Sequence, residues 1–204
     1  MEINELNRLL GNVDIYLLDQ MLKGRFSKEM KILDAGCGEG RNSVYFIQKD
    51  YQIFGIDPNE AAVQYCRYLA KSLNSRFDFH RFLEGRLEDI PFHAGAFDAV
   101  ICSAVLHFAE SVDNFWQMIH EIHRVLKPGG VFWFRMTTAF GRVLDQSQDL
   151  GNGKYALPDG SERFLFLPEY VDKLELIGFR FLEPMKTVLI PRQREMGVMV
   201  MEKI

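Results

Sequence analysis

The sequence predicts an α/β protein with a doubly wound, mostly parallel seven-stranded sheet, helices on both faces and one antiparallel strand near the C-terminus. Three observations support this fold class. Short apolar runs alternate with longer amphipathic segments, which is typical of a parallel sheet covered by helices. A glycine-rich turn follows the first apolar run. The last two predicted strands have no helix between them, so they are expected to pair as a hairpin.

The individual elements follow from apolar periodicity and from proline and glycine positions. The first helix is predicted from apolar residues at helical spacing between Ile3 and Met21. Pro168 is expected to open the last helix and Gly178 to close it. Predicted helices cover residues 2–22, 40–49, 58–73, 112–126 and 168–178. Predicted strands cover residues 31–36, 52–57, 77–85, 97–105, 131–136, 179–185 and about 197–203, and residues 127–130 form a tight turn.

Composition narrows the class of protein. The 204 residues carry a formal net charge of −4, with a pI of about 5.8, so the basic character of a nucleic-acid-binding domain is missing and no nucleic-acid partner is expected. Cys37, Cys66 and Cys102 have neither zinc-site nor disulfide spacing, which favours free thiols in a reducing compartment. The polar N-terminus and the absence of a run of roughly 20 apolar residues predict a cytoplasmic protein without a membrane segment.

A loop of three alternating glycines suggests a ligand site. Gly36 ends the predicted strand 31–36, and Gly38 and Gly40 follow it, at the point where open α/β sheets bind ligands. Without Cβ atoms, their backbone can approach a ligand closely. A dinucleotide fold would show G-x-G-x-x-G, whereas here the third glycine comes one residue early and Arg41 follows it.

Five motifs in order give the chain a family resemblance. They are "ILDAGCGEG", "FGIDPNE", "LEDIPF", "FDAVICSAVLHF" and "HRVLKPGGVFWF". Together they resemble the S-adenosylmethionine-dependent methyltransferases of the Rossmann-like class (class I), of the small-molecule type. The resemblance is strong over residues 30–136 and weak over 165–204. It implies S-adenosyl-L-methionine as cofactor, S-adenosyl-L-homocysteine as product and a small-molecule methyl acceptor.

The same resemblance implies a single methyltransferase domain, residues 1–204, with four parts. Residues 1–25 would form a helical lid and residues 30–136 the cofactor-binding core. Residues 137–164, rich in Gly, Asp and Ser without clear periodicity, would form a lid or substrate loop. Residues 165–204 would close the fold with a helix and a hairpin. The oligomeric state is not predicted.

In the first loop, the resemblance implies cofactor contacts from Asp34, the three glycines, Cys37, Arg41 and Asn42. Asp34 would anchor the loop and the methionine amino group, although a purely loop-stabilising role is an alternative. A cation in the first helical turn opposes the helix dipole, so Arg41 would meet the cofactor carboxylate or else pair with Glu39 on the surface.

The second strand and the segment after the third would bind the nucleoside. Asp57, with Pro58 beside it, is placed to accept both ribose hydroxyls, while the alternative is that Asp57 caps the following helix. Relatives read adenine with an aspartate at the position of Arg86, and arginine has no acceptor. Either the backbone at Arg86 and Leu87 carries this role, or Glu88 does, or the alignment is shifted by one residue.

The end of the fourth strand would face the transferred methyl group. Cys102 and Ser103 are expected beside the cofactor, and His107 is the candidate catalytic residue, with a hydrogen-bonded histidine at a helix start as the alternative. Arg135, Tyr155 and Arg163 are placed to line the acceptor side. No metal site is predicted. Two other functions stay open: a cofactor-binding regulator without turnover, and an NAD-dependent oxidoreductase.

Overall fold

A computed structural model describes residues 2–204 of the chain, and in this range it contains six α-helices and eleven strands. The helices are α1 Ile3–Leu10, α2 Ile15–Leu22, α3 Val44–Gln48, α4 Glu60–Leu73, α5 Val112–Val125 and α6 Tyr170–Ile177. The strands are β1 Lys31–Ala35, β2 Gln52–Asp57, β3 Phe82–Glu84, β4 Phe97–Ser103, β5 Leu126–Thr137, β6 Gln148–Gly151, β7 Lys154–Ala156, β8 Glu162–Phe164, β9 Phe179–Phe181, β10 Lys186–Ile190 and β11 Arg194–Lys203.

The main sheet has the order β10-β11-β5-β4-β1-β2-β3, and β11 runs antiparallel to its neighbours. The predicted fold class, a mostly parallel sheet with helices on both faces, is therefore confirmed, but with β9 the sheet has eight strands rather than the predicted seven. The closing strands differ in detail from the prediction. The hairpin partner of β11 is β10, which the sequence reading missed, and β9 pairs with the other end of β11 along the same edge. Strand β10 has no buried residue, since its side chains alternate between partly buried and exposed, and its sequence pattern is correspondingly faint.

Strand β1 lies between β4 and β2. The strands that follow it in the chain, β2 and β3, lie on one side of β1, whereas β4 and β5 lie on the other side. This is the switch point at which a crevice forms beyond the carboxyl ends of the strands. Apolar side chains fill both faces of the sheet. One core packs beneath α5 and α6 around Phe115 and Phe134, and the other beneath α2, α3 and α4 around Phe46 and Trp133.

The predicted continuous helix over residues 2–22 is wrong, because the chain breaks between α1 and α2. Gly11 has a φ of 61°, and a Cβ there would lie 3.3 Å from the Val44 side chain. The Asp14 carboxylate then caps α2 by accepting a hydrogen bond from the Tyr16 amide at 3.0 Å. Because of this break, buried Asp14 lies next to Ser103 and Arg135, near the carboxyl ends of β4 and β5.

Residues 137–164 are more ordered than the sequence predicted. Strands β6, β7 and β8 form a separate three-stranded antiparallel sheet. The turn at Asn152 and Gly153 has φ values of 55° and 80°, as expected for an Asn-Gly hairpin. This local signal was present in the sequence and was missed because the segment has no long apolar period.

Buried Glu195 at the start of β11 ties this segment to the main sheet. Its carboxylate accepts hydrogen bonds from the amides of Gly141 at 2.8 Å and Val143 at 3.2 Å. The sheet β6-β7-β8 therefore begins from a fixed base next to the carboxyl end of β5.

Smaller corrections concern element ends. Helix α4 begins at Glu60 with Asn59 as its cap, so Asp57 is not the cap and Pro58 lies outside the helix. Helix α3 begins at Val44 rather than Gly40, and β3 is shortened by a helical turn at 79–81. Residues 127–130 bulge out within β5, where the pairing with β4 shifts from Phe97↔Leu126 to Ala99↔Val131. Within residues 2–204, every helix is too short or too polar to cross a lipid bilayer.

Candidate active site

The glycine loop after β1 is held against β2 by backbone hydrogen bonds. The amides of Gly36 and Cys37 both donate to the Ile56 carbonyl, at 2.8 and 2.9 Å. The amide of Gly38 donates to Asp57 Oδ2 at 2.9 Å. The loop and the carboxylate at the end of β2 therefore form one unit.

The three glycines serve different purposes. All three have positive φ, at 79°, 51° and 80°. A Cβ on Gly36 would lie 2.4 Å from Val105, and one on Gly40 would lie 2.7 Å from the Cys66 sulfur. A Cβ on Gly38 would meet nothing within 4 Å. Gly36 and Gly40 are thus required for packing, whereas Gly38 presents open backbone.

Asp34 lies beneath this loop and is 1% exposed. Its carboxylate accepts a hydrogen bond from the Ser43 hydroxyl at 2.9 Å, which ties the end of β1 to the start of α3. Burial raises the pKa of Asp34 from 3.8 to about 6, against the opposing effects of Ser43 and Arg41. The loop-stabilising contact is present in the structure.

A cavity of about 400 Å³ opens beyond the carboxyl ends of the strands. Seven predicted site residues line it, namely Gly36, Asp57, Pro58, Arg86, Leu87, Glu88 and Ser103. Six further residues complete the lining, namely Ala104, Val105, Phe108, Glu110, Asn114 and Met118. The predicted residues outside the lining are Asp34, Cys37, Gly38, Gly40, Arg41, Asn42, Cys102 and His107.

Asp57 lies at the floor of the cavity with acceptor capacity to spare. Its Oδ2 accepts from Gly38, and its Oδ1 accepts from the Asn59 amide at 2.9 Å. A carboxylate offers about four acceptor positions, so roughly two remain for hydroxyl donors.

Residues 86–88 form one wall of the cavity, and Glu88 is the hydrogen-bond acceptor in it. Its Oε1 accepts from Asn114 Nδ2 at 3.0 Å, while Arg86 is a looser partner at 3.5 Å. Burial alone would raise the pKa of Glu88, but Asn114 and Arg86 hold it below its ordinary value. Leu87 is buried and contributes an apolar surface.

Asp14 is the main residue that sequence reasoning missed. It is 3% exposed, and its amide donates to Asn42 Oδ1 at 2.9 Å. Arg135 Nη1 lies 2.8 Å from its Oδ2. Ser103 approaches the same oxygen at 3.5 Å. An aspartate before an apolar run is a typical helix-cap signal, but a continuous helix over residues 2–22 places Asp14 inside the helix and leaves it no such role.

Arg41 joins this cluster rather than pairing with Glu39. Its Nη2 donates to Ser103 Oγ at 3.1 Å and lies 3.8 Å from Asp14. Residues from α2, the glycine loop, β4 and β5 thus meet at one end of the cavity.

Two predicted cysteines lie in the core instead of the cavity. Cys102 is fully buried on the α5 face of β4, because alternate strand residues point to opposite faces and Ser103 takes the other side. Cys37 packs among the residues beneath α4, including Cys66. Contact with Cys66 and burial raise the pKa of Cys37, and burial raises that of Cys102, so both thiols are protonated at neutral pH.

His107 lies in the helical turn 106–108, one residue from the cavity wall. It is 6% exposed, and its ring packs edge-on against Phe108 with centroids 4.6 Å apart. Among residues 2–204, its Nδ1 has no hydrogen-bond partner. Burial, followed by the charges of Arg163, Arg194 and Arg135, lowers the pKa of His107 to about 4. The imidazole is therefore neutral at pH 7.

Among residues 2–204, no group of three or more His, Cys, Asp or Glu side chains is arranged to hold a metal ion.

Tyr155 and Arg163, which were predicted to line the side of the methyl acceptor, lie opposite each other on the paired strands β7 and β8.

Comparison with known proteins agrees with the fold and the motifs. The family model "Methyltransferase domain" matches residues 33–134, which is half of the chain. The chain therefore belongs to the methyltransferase domain family, of the S-adenosylmethionine-dependent class I type.

Several relatives illustrate the range of the match. An uncharacterised methyltransferase from Synechocystis sp. is 33% identical over 106 residues, which cover 52% of this chain and 46% of that protein. A thiol S-methyltransferase from Homo sapiens is 34% identical over 111 residues, covering 53% and 43%. The chain thus matches somewhat less than half the length of these curated relatives. A crystal structure of a Pyrococcus horikoshii OT3 protein aligns with a TM-score of 0.71 at 24% identity, covering 93% of this chain and 89% of that one. At this identity the structural likeness shows the fold alone.

Proposed function

We propose that this protein transfers a methyl group from S-adenosyl-L-methionine to a small-molecule acceptor by in-line displacement. The observation that carries the proposal is the cavity that brings Gly36, Asp57, Glu88 and Ser103 together at the switch point of a methyltransferase-family sheet.

The residues present suit this cofactor. Asp57, with its spare acceptor positions, would hold the ribose hydroxyls beside Pro58. The apolar Leu87 and the Glu88 carboxylate would hold the adenine and its amino group; the position of Glu88 in the cavity lining supports its choice over the Arg86 side chain, which has no acceptor.

The methionine end would lie against the glycine loop. The open backbone at Gly38 leaves room for a close approach, and Gly36 lines the cavity wall. Arg41 and Ser103 would meet the carboxylate from the side of the Asp14 cluster, with Asn42 fixing that cluster. Asp34, Cys37, Gly40 and Cys102 would act indirectly, by holding the loop and the strand ends in place.

The bound cofactor supplies a methyl group already activated on a sulfonium, with a neutral thioether as leaving group. The chain therefore has to align the acceptor and exclude water. Val105 and Phe108 form the apolar wall for this purpose. His107 is neutral at pH 7 but is buried outside the cavity lining, so it would serve as a base only if its ring reached the cavity.

Turnover is the experiment that tests this proposal. The purified protein is incubated with S-adenosyl-L-methionine and pools of small thiols, carboxylic acids, phenols and amines, and S-adenosyl-L-homocysteine is measured by mass spectrometry. Product above the level of the Asp57→Asn variant supports the proposal. Cofactor binding without product from any pool would favour the cofactor-binding regulator instead.

A cytoplasmic location and the lack of a nucleic-acid partner belong to the same proposal. Three buried free cysteines suit a reducing compartment, and a net charge of −4 disfavours nucleic acid. The glycine spacing disfavours an NAD-dependent oxidoreductase.

A further inference from the structure

An arginine from the small sheet lies over the wall of the cavity. Arg163 on β8 places its guanidinium carbon 4.8 Å from the centroid of the Phe108 ring. Phe108 lines the cavity and is 59% exposed, so this contact is at the open side. Among residues 2–204, Arg163 has no carboxylate partner within 4 Å, and its Nη1 donates only to the Glu162 carbonyl at 2.6 Å.

Two arginines at the ends of main-sheet strands already have carboxylate partners. Arg194 at the start of β11 pairs loosely with Asp159, at 3.7 Å. Arg135 at the end of β5 pairs with buried Asp14, and its buried Nε has no hydrogen-bond partner among residues 2–204. Burial and, after it, the positive charges of Arg163, Arg194 and Arg135 lower the pKa of His107, whose buried Nδ1 has no hydrogen-bond partner among residues 2–204.

Arg163 differs from the other two arginines in its partners. Arg135 and Arg194 each have a carboxylate partner, Asp14 and Asp159, whereas Arg163 has none within 4 Å among residues 2–204. A cation–π contact alone would explain why Arg163 lies on Phe108, but it leaves the donor edge of the guanidinium unused. That edge is suited to bidentate contact with a carboxylate or phosphate.

We propose that the methyl acceptor carries an anionic carboxylate or phosphate group, which Arg163 binds beside Phe108. This inference rests on the proposed function, since it concerns the acceptor side of the same cavity. It assigns Arg163 a specificity-determining role.

Fluorine NMR titrations test the proposal without requiring the natural acceptor. The protein is first titrated with S-adenosyl-L-homocysteine; failure of that step would count against the proposed function rather than against the anion site. The saturated protein is then titrated with 4-fluorobenzoate, 4-fluorophenyl phosphate and neutral 4-fluorobenzamide.

Three variants locate the site. Arg163→Gln removes the charge, and Arg163→Lys keeps the charge without the planar fork. Arg180→Gln is the matched control, because Arg180 pairs with Glu202 at the opposite end of the sheet, where β11 meets the start of β5. S-adenosyl-L-homocysteine affinity is measured in every variant.

The expected result is that at least one anionic probe binds more tightly than the amide, and that Arg163→Gln weakens it at least about tenfold, or about 1.4 kcal/mol. Arg163→Lys should recover part of the loss, and Arg180→Gln should change nothing. Preference for benzoate or for the phosphate ester identifies the acceptor's anionic group. Equal binding of all three probes, or anion binding unaffected by Arg163→Gln while S-adenosyl-L-homocysteine still binds, would overturn the proposal.

Discussion

Asp14 and Arg135, 121 residues apart in the chain, form an ion pair at 2.8 Å in which the aspartate side chain is 1% exposed. The pair joins the start of α2 to the carboxyl end of β5. Because Asn42 and Ser103 also contact Asp14, the N-terminal segment is fixed to the edge of the cavity.

Replacement of Asp14 by Asn tests this relationship, since asparagine keeps the helix cap but removes the charge. Removing one partner of a fully buried pair costs about 3–5 kcal/mol. Arg135 retains 23% side-chain exposure, so we expect about 2 kcal/mol loss of unfolding free energy in urea. S-adenosyl-L-homocysteine affinity should fall several-fold as well. Asp172→Asn, at an exposed position of α6, is the control. Wild-type stability of Asp14→Asn would show that the pair contributes little.

Gly36 and Gly38 are predicted to respond differently to alanine. Gly36→Ala should destabilise the fold, because its Cβ would lie 2.4 Å from Val105. A Cβ at Gly38 would meet no atom within 4 Å, so Gly38→Ala should lower the free energy of unfolding only by the strain of a left-handed alanine, about 1–2 kcal/mol. If the cofactor lies against that backbone, Gly38→Ala should still weaken cofactor binding at least about tenfold. Thermal melts and calorimetry on both variants separate the two effects. Normal affinity in a folded Gly38→Ala protein would place the ligand elsewhere.

Asp34 predicts a pH dependence of stability. Its pKa in the folded state is about 6, above the ordinary 3.8, so the folded state retains the proton longer as pH rises. The contribution of Asp34 to the free energy of unfolding is therefore lost as pH rises from about 4 to about 6. A pKa change from 3.8 to about 6 corresponds to about 3 kcal/mol.

Other carboxylates, such as Asp19 with a pKa of about 2, act with the opposite sign, so the test is a difference between two proteins. Stability of wild type minus that of Asp34→Asn should fall between pH 4 and pH 7, as measured by urea unfolding. Asparagine preserves an oxygen for the Ser43 hydroxyl. A flat difference would mean that Asp34 titrates normally in the folded protein.

The two turns of the small sheet, between β6 and β7 and between β7 and β8, each contain a glycine with a left-handed backbone. Gly153 and Gly160 have nearly equal φ, 80° and 81°, but only at Gly153 would a Cβ clash, 2.4 Å from Phe164. Both alanine variants should be destabilised by the strain of a left-handed alanine, and Gly153→Ala should be destabilised further because it displaces the buried Phe164 ring. Hydrogen exchange in β6–β8 reports the difference. Equal exchange rates in the two variants would indicate that Phe164 adapts freely.

The sequence predicted the central sheet well because its strands are buried on both faces and read as plain apolar runs. The Gly36 loop and Asp57 were found for a related reason: their spacing relative to the strands is fixed by the switch point. Strand β10 was missed because an edge strand without buried residues carries little local signal. The break at Gly11 was missed because apolar residues recur at helical spacing on both sides of it, although Asp14 is a helix-cap signal. Asn152-Gly153 carried a clear signal that was not used.

The side-chain partners were not predictable in the same way. Arg41 had a near neighbour in sequence, Glu39, yet its partners are Ser103 and Asp14, which tertiary packing brings to it. Cys102 and Ser103 are adjacent in sequence but face opposite sides of β4, so the strand phase decides which one reaches the cavity.

Calorimetric titration of the purified protein with S-adenosyl-L-methionine and S-adenosyl-L-homocysteine, with NAD alongside, measures whether the cavity binds the methyltransferase cofactor. Binding of the first two, lost in Asp57→Ala and retained in Arg180→Gln, is the predicted result. Binding of NAD alone, or of none of the three to a folded protein, would contradict the account.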